Sequence, residues 1–66
     1  MRLKINGAVR QFPGDLMLPA LLEKLQLPAA RVAVERNRTL VHRDKYSSVR
    51  LEDDDELEIV QLVGGG

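Results

Sequence analysis

Met1-Arg2-Leu3-Lys4-Ile5-Asn6-Gly7-Ala8-Val9-Arg10-Gln11-Phe12 (residues 1–12) reads as a strand, a tight turn and a returning strand. Leu3 and Ile5 fall on one side and Arg2 and Lys4 on the other, the period of a half-buried strand. Asn6-Gly7 is the strongest short hairpin signal, because a type I′ turn needs positive φ at both central positions. A two-residue turn sets Ile5 opposite Ala8 and Leu3 opposite Arg10, which brings an arginine onto the apolar side. Either Arg10 extends its charge past an edge, or the connection is not a simple two-residue turn.

Outward from this hairpin, Pro13-Gly14-Asp15 breaks the strand. Leu18, Leu21, Leu22 and Leu25 then recur at the spacing of one helical face. Pro19 suits a first helical turn, no good capping side chain precedes it, and Pro28 marks the exit. Val32 and Val34 alternate with Ala33 and Glu35 as a third strand, Asn37-Arg38 is a turn, and Leu40-Val41 makes a short strand. Arg43 to Ser48 is polar, with room for one helical turn. Glu52 to Asp55 is a second turn. Glu56 to Val63 is the last strand, rich in apolar and β-branched residues. One helix packed on one face of a small mixed sheet buries both apolar faces most simply. The expected class is therefore α+β, a β-grasp or ubiquitin-like fold. Residues 1–63 are expected to form a single domain and residues 64–66 a flexible glycine tail.

A chain of 66 residues supports one modest core. It has no cysteine, so it offers no disulfide, thiolate nucleophile or zinc–thiolate site. No apolar run approaches the roughly 20 residues of a membrane span, and the N-terminus lacks a signal peptide's apolar core; a soluble, cytoplasmic protein is expected. The net charge is zero, yet residues 1–50 hold all ten Lys and Arg, while residues 51–66 hold six acids and no base. A nucleic-acid binder would carry a net basic surface. The asymmetry has two readings: acidic and basic segments are neighbours in the fold, or the charge forms a docking face that steers a partner. His42 has no second histidine or cysteine to share a metal. The acidic run Glu52 to Glu56 lacks the glycine and spaced ligands of a calcium loop. Tyr46 and Phe12 are expected to be packing residues. No metal site and no cofactor are expected.

Gly64, Gly65 and Gly66 are the most informative feature for chemistry. Glycines lose much freedom on ordering, and a side-chain-free arm can thread a tunnel where any Cβ would clash. Fully extended, three residues reach about 10 Å. The terminal carboxylate is a poor electrophile, and becoming an acyl donor requires a leaving group such as AMP. A partner enzyme must supply that activation, because the chain has no phosphate-binding loop and no nucleophile of its own. Composition alone is equally compatible with an inert end. In the last strand Leu57 and Ile59 face inward and Glu56 and Glu58 outward. Continued alternation leaves Val60 and Leu62 on the outer face, with Val63 next to the tail, as a docking surface. A bulge would instead turn Val60 or Leu62 back into the core.

Taken in order, these segments resemble the ThiS-type sulfur carriers of thiamine biosynthesis, in the ubiquitin-like MoaD/ThiS family. The resemblance rests on Leu3-Lys4-Ile5-Asn6-Gly7, Leu21-Leu22-Glu23-Lys24-Leu25 and Val32-Ala33-Val34-Glu35-Arg36-Asn37. It continues through Val41, Arg43-Asp44-Lys45-Tyr46 and Asp55-Glu56-Leu57-Glu58-Ile59-Val60 to Val63-Gly64-Gly65-Gly66, and so covers essentially the whole chain. The resemblance implies a protein co-substrate rather than an enzyme. An E1-like activating enzyme of the ThiF type would adenylate Gly66. Sulfur, ultimately from a cysteine desulfurase, would convert the adenylate to a thiocarboxylate. A ThiG-type thiazole synthase would take that sulfur. Related readings are the small subunit of molybdopterin synthase (MoaD type), another sulfur carrier, or a ubiquitin-like modifier. Four positions depart from the family pattern: Arg38 and Asp54 stand where glycine is common, His42 where proline is, and Met17 where a capping threonine is frequent. All four concern turns and caps.

Overall fold

A computed structural model of the chain describes residues 1–62. The expected tail, Gly64 to Gly66, and Val63 lie outside the described residues. Strands β1 (Arg2–Ile5) and β2 (Ala8–Gln11) form the hairpin, with Ile5 opposite Ala8 and Leu3 opposite Arg10. Asn6 and Gly7 take φ of 50° and 86°, the type I′ turn. Both halves of the Arg10 question are thereby answered. The turn has two residues, β2 is an edge strand, and Arg10 is exposed with its guanidinium 5.5 Å from the centre of the Phe12 ring.

Helix α1 spans Leu18–Lys24, with Pro19 in its first turn and Met17 at the cap without a side-chain hydrogen bond. Seven residues cannot hold a helix in water unaided. What holds this one is Leu18, Leu21 and Leu22, each no more than 1% exposed, against the sheet. Its end is a Schellman motif. Gln26 has φ of 59°, its N–H donates to Glu23 O, and the Leu27 N–H donates to Leu22 O. The backbone flanking the helix is also pinned: the Leu18 N–H donates to Val49 O and the Leu51 N–H to Leu16 O, both at 2.9 Å.

A 3-10 turn at Ala29–Arg31, which the sequence pattern does not signal, leads into β3 (Val32–Arg36). Asn37 and Arg38, at φ of 51° and 70°, turn the chain into β4 (Thr39–Val41). Arg43–Ser48 is a longer 3-10 segment that carries Tyr46 into the core, where its hydroxyl donates to Val32 O at 3.0 Å. Strand β5 (Glu56–Gln61) closes the sheet in the order β2-β1-β5-β3-β4. It runs parallel to β1 and antiparallel to β3. A mixed sheet with its last strand in the middle and one main helix on one face is the β-grasp fold. The core joins Leu3, Ile5, Val32, Val34, Leu57 and Ile59 of the sheet to the leucines of α1, with Leu16, Tyr46 and Leu51 closing it.

Candidate functional site

Because β5 leads to the C-terminal residues, what grips β5 fixes where the described chain ends. Two asparagines of the turns do so. The Asn6 side chain completes the ladder where β1 has ended: its Nδ2 donates to Ile59 O at 3.0 Å, and its Oδ1 accepts from the Ile59 N–H at 2.8 Å. At the other end of β5, Asn37 donates its backbone N–H to Glu56 O at 2.7 Å and accepts the Glu56 N–H on Oδ1 at 2.9 Å. Asparagine tolerates positive φ, so each side chain both permits its turn and clamps β5. The sequence pattern marks these residues as turn formers only; their second role depends on which strand the fold brings alongside.

The start of β5 is also fixed by charge. Asp55 is 7% exposed and accepts hydrogen bonds from Arg36 Nε (2.9 Å), Asn37 Nδ2 (3.0 Å) and the Glu52 N–H (2.9 Å), with Arg36 Nη2 at 2.8 Å. Burial pushes the Asp55 carboxyl up, but the bonds from Asn37, Glu52 and Arg36 and the charge of Arg36 outweigh it and hold the group below its ordinary value. Three more carboxylates of the acidic run are engaged as well. The Asp53 carboxylate accepts the Arg2 N–H at 2.7 Å, Asp54 pairs with Arg2 at 2.9 Å, and Glu56 lies 3.6 Å from Lys4. Of the two readings of the charge asymmetry, these contacts favour acidic and basic segments that neighbour one another. Asp54 takes φ of 69° and Arg38 φ of 70°, the left-handed backbone that glycine adopts at least cost.

At its far end β5 stays paired with β3 through Val32 opposite Gln61, and the Leu62 N–H donates to Arg31 O at 2.7 Å. No bulge intervenes. Leu57 and Ile59 are buried, whereas Val60 is 58% and Leu62 48% exposed on the outer face. Of the sequence-predicted site residues, Val60 and Leu62 are thus set side by side on one surface, while Val63, Gly64, Gly65 and Gly66 lie outside the described residues. His42 is exposed at the start of the 3-10 segment. Among the described residues, no group of three or more His, Cys, Asp or Glu side chains is arranged to hold a metal ion. No helix among them is long and apolar enough to cross a membrane.

A β-grasp domain with an outward apolar strand end at the root of a glycine terminus belongs to the ubiquitin-like class. The ThiS family profile matches residues 3–66, and the chain belongs to that family. It is 38% identical over 65 residues to the sulfur carrier protein ThiS of Bacillus subtilis, covering 97% of this chain and 98% of that protein. It is 44% identical over its full 66 residues to a thiazole synthase of Paramagnetospirillum magneticum, and spans only 20% of that protein's length. A second thiazole synthase, from Magnetococcus marinus, is 38% identical and is again spanned to 20% of its length. The crystal structure of the thiamine biosynthesis protein ThiS of Geobacter metallireducens superposes with a TM-score of 0.86 at 29% identity, covering all of both chains.

Proposed function

We propose that the chain is a sulfur carrier for thiazole formation in thiamine biosynthesis, working in the cytoplasm as a co-substrate of other enzymes. Its domain, residues 1–63, presents Gly64, Gly65 and Gly66 as the reacting arm. A Gly66 carboxylate oxygen attacks the α-phosphorus of ATP on a ThiF-type enzyme, and pyrophosphate leaves. Persulfide sulfur that originates from a cysteine desulfurase then attacks the acyl carbon, and AMP leaves; a second thiol cleaves the resulting acyl disulfide, forming a disulfide with the sulfur donor and releasing the thiocarboxylate. A ThiG-type thiazole synthase takes the sulfur and returns the carboxylate. Two relatives are themselves named thiazole synthases and contain a stretch matching this whole chain, which supports that acceptor.

The observation that carries the reading is the way β5 is held. It is clamped on the β1 side to Ile59 and on the β3 side to Leu62, with Val60 and Leu62 left bare at the end of the described chain. Beyond Leu62, the chain to Gly66 can span at most about 14 Å. A partner that uses Gly66 must therefore approach this strand end, and Val60, Leu62 and Val63 form the docking surface it meets. Incubation with ATP and the ThiF-type enzyme should attach AMP to the intact chain. Deleting Gly66 should abolish attachment while leaving the thermal transition unchanged. Attachment at the new end of the shortened chain would overturn the assignment of Gly66.

A further inference from the structure

The register of β3 and β5 sets Glu35 directly opposite Glu58 on the outer face of the sheet. Both are exposed, and neither makes an ion pair among the described residues, although Glu56 on the same face lies 3.6 Å from Lys4 and 3.8 Å from Arg38. Like charges directly across a strand pair repel one another and weaken the sheet. A lysine at either position would have made a favourable pair on the same exposed surface, so the repulsion is not demanded by packing. Toward the end of β5 the neighbours of this rung are apolar, while Glu56, with Lys4 and Arg38, borders its other side. Leu40 stands opposite Glu35 on β4, the next rung of β3 and β5 on the same face is Ala33 opposite Val60, and Leu62 follows beyond it. Leu40 is 54% exposed, comparable to Val60 and Leu62. A doubly negative rung bordered on one side by apolar side chains complements a protein surface with one cation beside an apolar patch. It is the wrong sign for nucleic acid or an anionic membrane.

We propose that the Glu35–Glu58 rung receives an arginine of the protein that docks on this face, which, on the carrier reading above, is the adenylating enzyme. Directly opposed positions in a strand pair hold their Cβ atoms about 5 Å apart, and a guanidinium offers donors in a planar fork that reaches two carboxylates at once. Seating it cancels the repulsion within the rung, so the complex gains what the free domain forgoes. Opposite charge also acts during approach, guiding the enzyme onto the face that carries Val60 and Leu62.

The test uses the full chain and the purified ThiF-type adenylating enzyme. Variants E35Q, E58Q and the double E35Q/E58Q are compared by stopped-flow association at rising salt and by thermal melting. The double variant should melt about 3 °C higher, yet associate about fivefold more slowly at low salt with a flatter salt dependence. A wild-type chain that is adenylated and a double variant that associates equally fast would overturn the arginine seat and leave the carrier reading standing. A wild-type chain that is never adenylated would overturn both. Sedimentation showing a dimer of the free wild-type chain, lost in the double variant, would assign the rung to a second copy and also overturn the proposal.

Discussion

Replacing Asn6 with alanine removes the two hydrogen bonds that tie the backbone of Ile59 to the β1 side. Each part-buried bond contributes about 1 kcal/mol net. Alanine must also adopt φ near 50° at this position, and a residue with a Cβ and no local polar group pays roughly 1 kcal/mol more for that conformation. The sum is about 3 kcal/mol. Against a total of roughly 3–10 kcal/mol for a chain of this size, it is a large fraction. Urea unfolding followed by circular dichroism should show the midpoint falling with an unchanged slope, because the exposed surface barely differs. Asn6→Gly separates the two contributions: it loses the same bonds without the φ penalty, so it should be less destabilised than Asn6→Ala. Native-state hydrogen exchange gives the local readout, since the Ile59 amide should lose protection in both variants beyond what the global change explains. A loss below about 0.5 kcal/mol in Asn6→Ala, with the Ile59 amide still protected, would refute the claim that this side chain holds β5.

Asp55 makes stability depend on pH. Its folded pKa lies below the ordinary 3.8, so its contribution is fully present above that value and is lost as the pH falls through the lower folded pKa. Asp55→Asn should cost about 3 kcal/mol at neutral pH, and its deficit relative to wild type should shrink in chemical unfolding below pH 3.8. Arg38→Gly relieves positive φ at a position exposed to solvent, and should stabilise the protein by a few tenths to about 1 kcal/mol after the larger entropy of the unfolded chain is counted; a melting temperature that falls would show that the Arg38–Glu56 contact matters more than the backbone. Val60→Asp places a charge on an already exposed position, so melting should barely move while AMP attachment by the ThiF-type enzyme falls about tenfold or more; unchanged attachment would remove Val60 from the docking surface.

The sheet and helix were legible because their burial follows simple periods. Leu3 and Ile5, Val32 and Val34, and Leu57 and Ile59 alternate as strands must, and the leucines of α1 recur at helical spacing. The same alternation, carried one step further in each strand, also put Arg36 in phase with Val34 and Asp55 in phase with Leu57. That parity is the signal for the Arg36–Asp55 pair, obscured because an acidic run reads as a solvated turn. The roles of Asn6 and Asn37 were not legible, since a turn residue's side chain bonds to whatever strand the tertiary fold supplies, and β5 arrives from the far end of the sequence. The Ala29–Arg31 turn escaped for a different reason: two alanines and an arginine carry no periodic mark. Gln26 in the helix-terminating position, where glycine is customary, hid the Schellman motif in the same way. On the candidate site, alternation left Val60 and Leu62 outward unless a bulge intervened. Only the continuous pairing of β3 with β5 decided between the two.

The carrier reading is tested most directly by intact mass and C-terminal fragmentation of the protein after incubation with ATP, a sulfur source and the ThiF-type enzyme. The account predicts an oxygen-to-sulfur mass shift located on Gly66. A C-terminus that remains a plain carboxylate, with the enzyme active on another carrier in the same mixture, would contradict it.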